Sequence, residues 1–203
     1  MNIMALISAL PGAAAQGLIW GIMAIGVYIT YKILDVADLT VDGSMCTGGA
    51  VSIMMMLNGY NVWVSLLAAF IAGMLAGLVT GIFHTFMGIP AILAGILTQL
   101  ALYSINLKIM GRANQAISVM NYDLLVSLRN VKNVPFYQNS IFVVAIFCIV
   151  IIGVLYWFFG TELGCSLRAT GCNPNMSRAQ GINTNFNIVL GLMISNGLVA
   201  LAS

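Results

Sequence analysis

The chain alternates long apolar runs with short polar ones. The first apolar run covers about residues 12–34, GAAAQGLIWGIMAIGVYITYKIL. It is long enough for a helix across a hydrocarbon core of ~30 Å, which takes about 20 residues. The polar stretch DVADLTVDG follows, carrying Asp35, Asp38 and Asp42. A shorter apolar segment, SMCTGGAVSIMMML, occupies 44–57, and Gly48 and Gly49 are expected to break its front half. The turn signal NGYN at 58–61 opens a third run at about 62–83. In that run Gly73, Gly77 and Gly81 recur every four residues. One smooth face results, the small-xxx-small pattern of close helix packing in membranes. A tight connection at 84–90 leads to a fourth run at about 89–107, and a mixed segment at 108–139 leaves the apolar layer. The fifth run, 140–160, is the most apolar, and Trp157 with its aromatic neighbours forms an interfacial belt at its end. After a polar stretch at 161–185, a sixth run starts near Phe186 and reaches Ser203 still apolar.

Composition narrows the class. Of the 203 residues, 61% are hydrophobic and only 6% charged, with mean hydropathy +1.04. A soluble domain is about one-quarter charged. In a bilayer every spanning segment must satisfy its own backbone. The runs lack the apolar/polar alternation of barrel strands. The expected fold is therefore all-α, a polytopic transmembrane bundle of about six hydrophobic segments, the second short or re-entrant. The net charge of +2 gives no footing for nucleic acid. The first residues lack the basic region of a signal peptide. No linker or repeat divides residues 1–203, so one membrane domain is expected. The apolar finish at Ser203 predicts that it is the N-terminal portion of a longer protein.

The polar stretch TELGCSLRATGCNPNMSRAQGINTN at 161–185 is organised beyond what a tether needs. Thr161 is placed to N-cap a first short helix, with Glu162 in its first turn and Arg168 in its last, charges that suit the helix dipole. Gly171 fits a left-handed position just past that helix. Asn173 followed by Pro174 reads as the cap and first residue of a second helix, which Gly181 closes.

The same residues carry a resemblance. Arg168-Ala169-Thr170-Gly171-Cys172-Asn173-Pro174, Ser177-Arg178 and Gly181-Ile182 resemble the cytoplasmic coupling loop of bacterial ABC-importer permeases. The group is the one containing the branched-chain amino acid and ribose permeases, whose pattern reads R-A-x-G-x-N-P-x-x-A-R-x-x-G-I. Ser177 stands where alanine is usual, and Cys172 where a polar or acidic residue is common. ILDVADLTVDGS at 33–44 is similar to the broken-helix segment of these permeases. HTFMGIPAILAGILTQLALYSINLKIMG at 84–111 resembles an amino-acid, tryptophan/tyrosine-type subgroup.

The resemblance implies a pathway of two permease subunits in the bacterial cell membrane. Two cytoplasmic ABC ATPases, which bind the ATP and Mg, each receive a coupling helix. An extracytoplasmic solute-binding protein delivers the substrate. It assigns the ATPase-coupling role to Glu162, Arg168, Ala169, Gly171, Asn173, Pro174, Arg178 and Gly181. The substrate class implied is a small polar solute, an amino acid first, with a sugar or nucleoside as the alternative. The chain lacks a GxxxxGK[ST] phosphate loop, so no nucleotide chemistry or cofactor is expected in it, and it is not expected to be an enzyme.

Other residues leave two readings open. Asp35, Asp38 and Asp42 are acidic groups near membrane depth, where such groups are often functional, so they are candidates for the translocation path. They serve equally well as helix caps at the cytoplasmic face. Gln99 and Asn106 of the fourth run can meet a polar solute or hydrogen-bond a neighbouring helix. His84 is the single histidine and cannot by itself build a metal site. Cys46, Cys148, Cys165 and Cys172 lack metal or redox spacing. An ion-coupled secondary carrier would share the composition but would need no ATPase. Charge counting alone would put 108–139, with four Lys/Arg, inside, against two in the 161–185 loop. The longer motif match is followed instead, which places the 161–185 loop in the cytoplasm. The N-terminus is then outside if 44–57 crosses, and inside if that segment is re-entrant.

Overall fold

A computed structural model of the chain describes residues 3–112 and 140–203, with side chains from residue 12 in the first part and 141 in the second. The described residues are helical, with no strand among them. Helix α1 (Ile3–Tyr28) runs into a π-helical turn, Ile29–Ile33. After an irregular segment come α2 (Val41–Leu57), α3 (Val62–Thr85) and α4 (Ala91–Met110). Then follow α5 (Ser140–Gly160), α6 (Glu162–Cys172), α7 (Pro174–Ala179) and α8 (Thr184–Leu201). Among the described residues five stretches are long and apolar enough to span a bilayer: Gly12–Ile33, Val62–Thr85, Ala91–Met110, Ile141–Gly160 and Thr184–Leu201. The 17-residue α2 is the short sixth segment.

Helix α8 is the axis of the bundle, and its contact with α3 is the most extensive in the described fold. The predicted glycine face makes that contact. A Cβ on Gly77 would lie 2.7 Å from the Leu192 carbonyl carbon and 2.9 Å from Met193 Cα. One on Gly73 would meet Asn196, and one on Gly81 would meet Val189. Without side chains there, two backbones approach and gain dispersion contacts, which carry helix association where lipid is as apolar as the core. The opposite face of α3 exposes Leu67, Ile71 and Leu75, the stripe expected to face lipid.

The glycines of α2 behave differently from expectation. Gly48 and Gly49 lie inside one continuous helix and do not break it. Gly48 is buried, and its Cβ would fall 2.8 Å from Ala200 Cα, so the residue admits α8. Packing gain outweighs the ~1 kcal/mol helix penalty of glycine. The break lies upstream, at 34–40, where Asp35 adopts φ 56°.

Directions follow from the pairs. α3 runs antiparallel to α8, since Gly73, Gly77 and Gly81 meet Asn196, Leu192 and Val189 in that order. α2 runs parallel to α8: Ser44 is level with Asn196 and Gly48 with Ala200. α1 runs antiparallel to it, with Gly26 beside Val199 and Leu34 beside Gly191. The start of α1 therefore lies on the face opposite the 161–185 loop, and α2 leads back to that opposite face.

Candidate functional site

The polar loop is built as two capped helices. Thr161 Oγ1 accepts from the Gly164 amide at 3.4 Å, and Glu162 is exposed in the first turn of α6. Asn173 Oδ1 accepts from the Met176 amide at 3.1 Å, with Pro174 opening α7. Gly181 closes the pair at φ +83°. Asn183 then caps α8 through the Phe186 amide at 3.2 Å.

Two expectations are corrected here. Gly171 is not a left-handed terminator, because it lies within α6, which continues to Cys172. The helix is ended by Asn173, whose extended backbone (φ −156°, ψ 96°) is the conformation a following proline imposes. Gly171 instead permits close approach. A Cβ there would lie 2.8 Å from the Ile33 carbonyl carbon and 3.0 Å from Leu34 Cα, and closer still to the Ile33 oxygen. Arg168 is likewise not in the last turn of α6. Its Nη2 turns back and donates to the Phe159 carbonyl at 3.0 Å, with Cys165 Sγ at 3.3 Å. It therefore neutralises the end of α5, where free carbonyls favour a cation.

The other contacts fix the loop to the bundle. Arg178 Nε donates to Thr184 Oγ1 at 2.7 Å and its Nη2 to Asn185 Oδ1 at 3.2 Å. Asn187 Nδ2 donates to Thr170 Oγ1 at 2.9 Å, and Ser166 Oγ donates back to Asn187 Oδ1 at 3.4 Å. Leu167 is fully buried against Leu34, Val36 and Leu192. Outward lie Glu162, Cys165, Cys172, Pro174, Asn175, Ala179 and Gln180, together with two large apolar side chains, Leu163 (50% exposed) and Met176 (60%). Ala169 is half-buried. Leu163 and Met176 escaped the sequence reading because only polar and motif residues were weighed. An exposed apolar pair on short capped helices was the available signal.

The second site lies at the helix break. Asp38 Oδ1 accepts from the Thr40 amide at 2.8 Å and Oδ2 from Asn196 Nδ2 at 2.7 Å. Ser44 Oγ donates to Asn196 Oδ1 at 2.7 Å, and Thr40 and Thr80 share a hydrogen bond of 2.8 Å between their hydroxyls. Asn196, Ser44, Thr40 and Thr80 are buried. Thr80 stands five residues before the end of α3, so the break is about 8 Å in from that loop-side end. Asp38 thus holds the start of α2 and ties it to α8. Asp35 and Asp42 are exposed, and neither carboxylate has a hydrogen-bond partner among the described residues. Gln99 packs along α2, its Cα 3.1 Å from where a Gly43 Cβ would sit. Asn106 lies two turns further along α4, buried, with Oδ1 lacking a donor among the described residues. The structure thus brings Asp38 into a network with Asn196 and leaves Asp35, Asp42 and Asn106 outside it. Asn196 had been passed over within an apolar run, although an asparagine there was itself a signal.

Among the described residues no cluster of His, Cys, Asp or Glu is arranged to hold a metal ion. His84 Nδ1 pairs with the Ile89 carbonyl at 2.9 Å. The 113–139 part of the segment read as an external loop lies outside the described residues.

Comparison with known proteins identifies the family. The family model described as "Branched-chain amino acid transport system / permease component" matches residues 10–203. The tyrosine transport system permease protein of Clostridioides difficile is 41% identical over 96% of this chain and 63% of its own length. An uncharacterised protein of Rickettsia prowazekii is 37% identical over 93% of the chain and 64% of its own. The fructose import permease protein of Bifidobacterium longum is 29% identical over 81% of the chain and 46% of its own. The chain thus spans less than two-thirds of the length of these curated relatives. No solved structure matches it significantly. With a family match over nearly its whole length and five apolar helices able to span a bilayer, this chain belongs to the branched-chain amino acid transport-system permease family and is a multi-pass membrane protein.

Proposed function

We propose that the chain forms part of the pathway of an ATP-driven importer in the bacterial cell membrane and that α6–α7 is the handle its ATPase grips. The carrying observation is the loop itself. Two capped helices are fastened to α5 by Arg168 and to α8 by Arg178 and Asn187, and they present Leu163 and Met176 outward. Apolar side chains exposed on a stiff polar element fit insertion into a groove of a soluble partner. ATP and Mg belong to that partner, and the chain needs no cofactor of its own. A second permease subunit and an extracytoplasmic solute-binding protein complete the assembly. The solute is small and polar. An amino acid is supported by the tyrosine permease relative, and a sugar by the fructose permease relative.

Purification of the full-length protein from native membranes in mild detergent tests this. An ABC ATPase is expected in stoichiometric amount, and Leu163→Asp with Met176→Asp removes it while the permease still elutes as a folded species. A preparation that transports with no ATPase present overturns the proposal in favour of an ion-coupled carrier. Competition of uptake by amino acids against sugars then separates the two substrate classes.

A further inference from the structure

The inference concerns the segment Ile29–Thr40 and rests on the importer reading above. Three independent features meet there. The backbone changes from α to π at Ile29–Ile33, where the Leu34 amide reaches the Ile29 carbonyl at 3.0 Å. Single-turn π segments are rare and frequently sit at functional sites. Two residues later Asp35 adopts φ 56°, a left-handed conformation that L side chains enter at a cost. The segment is also clamped at both ends by different parts of the molecule. At its loop-side end α6 rests on it, with Gly171 against the Ile33 carbonyl and Leu167 against Leu34 and Val36. At its inner end Asp38 and Thr40 are tied to Asn196 of α8 and Thr80 of α3.

We propose that Ile29–Thr40 is the hinge through which the coupling helix acts on the membrane pathway, and that Gly171 is the positioning residue that seats α6 on it. A shift of α6 cannot bypass the hinge, because no side chain stands between Gly171 and the Ile33 carbonyl. The glycine face of α3 on α8 offers no such freedom, since backbone there already meets backbone. Movement is therefore taken up by the π turn and by Asp35. Asp35 is exposed, so its surroundings change as the hinge does.

The test uses the full-length permease with its ATPase in inside-out vesicles. Exposed Cys46, Cys165 and Cys172 are replaced by serine and Asp35→Cys is introduced. The rate of labelling by a membrane-impermeant maleimide is read with and without ATP plus vanadate. A change of about fivefold or more with nucleotide is expected, the size of a modest population shift. Phe86→Cys, exposed just past the loop-side end of α3, is labelled at a rate that nucleotide does not change. Gly171→Ala, whose added Cβ meets the Ile33 carbonyl, abolishes the nucleotide effect at position 35 in the fraction that retains bound ATPase. An Asp35→Cys rate indifferent to nucleotide, with active ATPase present, overturns the hinge. So does a nucleotide effect that survives Gly171→Ala. Absence of any ATPase overturns instead the importer reading on which the hinge rests. The Asp35→Cys comparison alone decides the matter if Gly171→Ala does not fold.

Discussion

The α3–α8 contact and the 29–40 segment solve the same problem in opposite ways. Both must satisfy the backbone inside an apolar layer. α3 and α8 do so with unbroken helices, each amide paired within its own helix, and remove side chains so that backbones touch. The 29–40 segment leaves the α-helix: the Leu34 and Val36 amides reach the Ile29 and Thr30 carbonyls, each at 3.0 Å, and the Thr40 amide is satisfied by the Asp38 carboxylate. That carboxylate in turn accepts from Asn196 of α8, which also accepts from Ser44 of α2. A contact made of backbone and dispersion has one good arrangement. A contact made of a few hydrogen bonds between polar side chains can exchange partners and so supports two. The rigid half and the adjustable half of the molecule are therefore adjacent, sharing α8.

The contrast is broken most severely at Gly77. A leucine there must displace the Leu192–Met193 backbone, and overpacking of this kind costs about 3 kcal/mol or more. Thermal unfolding of Gly77→Leu in detergent is expected to fall sharply or the variant not to accumulate. An unchanged midpoint would remove the rigid half of the comparison.

Asn196→Ala acts on the adjustable half. It strips a hydrogen bond from Asp38 and another from Ser44, and bonds to charged groups are worth about 1.5–3 kcal/mol when buried. A loss of about 2 kcal/mol is expected, discounted because Asp38 is only half-buried and keeps the Thr40 amide. A double-mutant cycle with Asp38→Ala should reveal coupling, and strict additivity would mean that the two residues do not act on each other. The smallest effect belongs to Thr80→Val. It deletes one buried hydroxyl pair, and interhelical bonds in membranes average about 0.6 kcal/mol. A loss above about 2 kcal/mol would show that Thr40 depends on it far more than a single pair implies.

The two halves were unequally legible in the sequence. The repeat of Gly73, Gly77 and Gly81 announced a close helix contact because the pattern is local and periodic, although the partner, α8, was not stated by it. The caps at Thr161 and Asn173 were legible for the same reason. Gly48 was misread because glycine in a helix either breaks it or admits a neighbour, and only the presence of Ala200 decides. Gly171 was misread because its contact, Ile33, is more than 130 residues away in the chain. The Asp38–Asn196 pair was illegible for that reason too: 158 residues separate the partners, and Asn196 stands in no motif. Arg168 shows a milder form of the problem, since its partner at Phe159 depends on the angle between α5 and α6.

The most direct test of the account compares the two halves in one experiment. Hydrogen–deuterium exchange of the complete transporter would be followed with and without ATP plus vanadate. Nucleotide is expected to change exchange in peptides covering 29–40 and 161–185 and to leave those covering Gly73–Gly81 as they were. An equal change in the α3 peptides, or none at 29–40 while 161–185 responds, would contradict the division of the molecule into a rigid contact and an adjustable one.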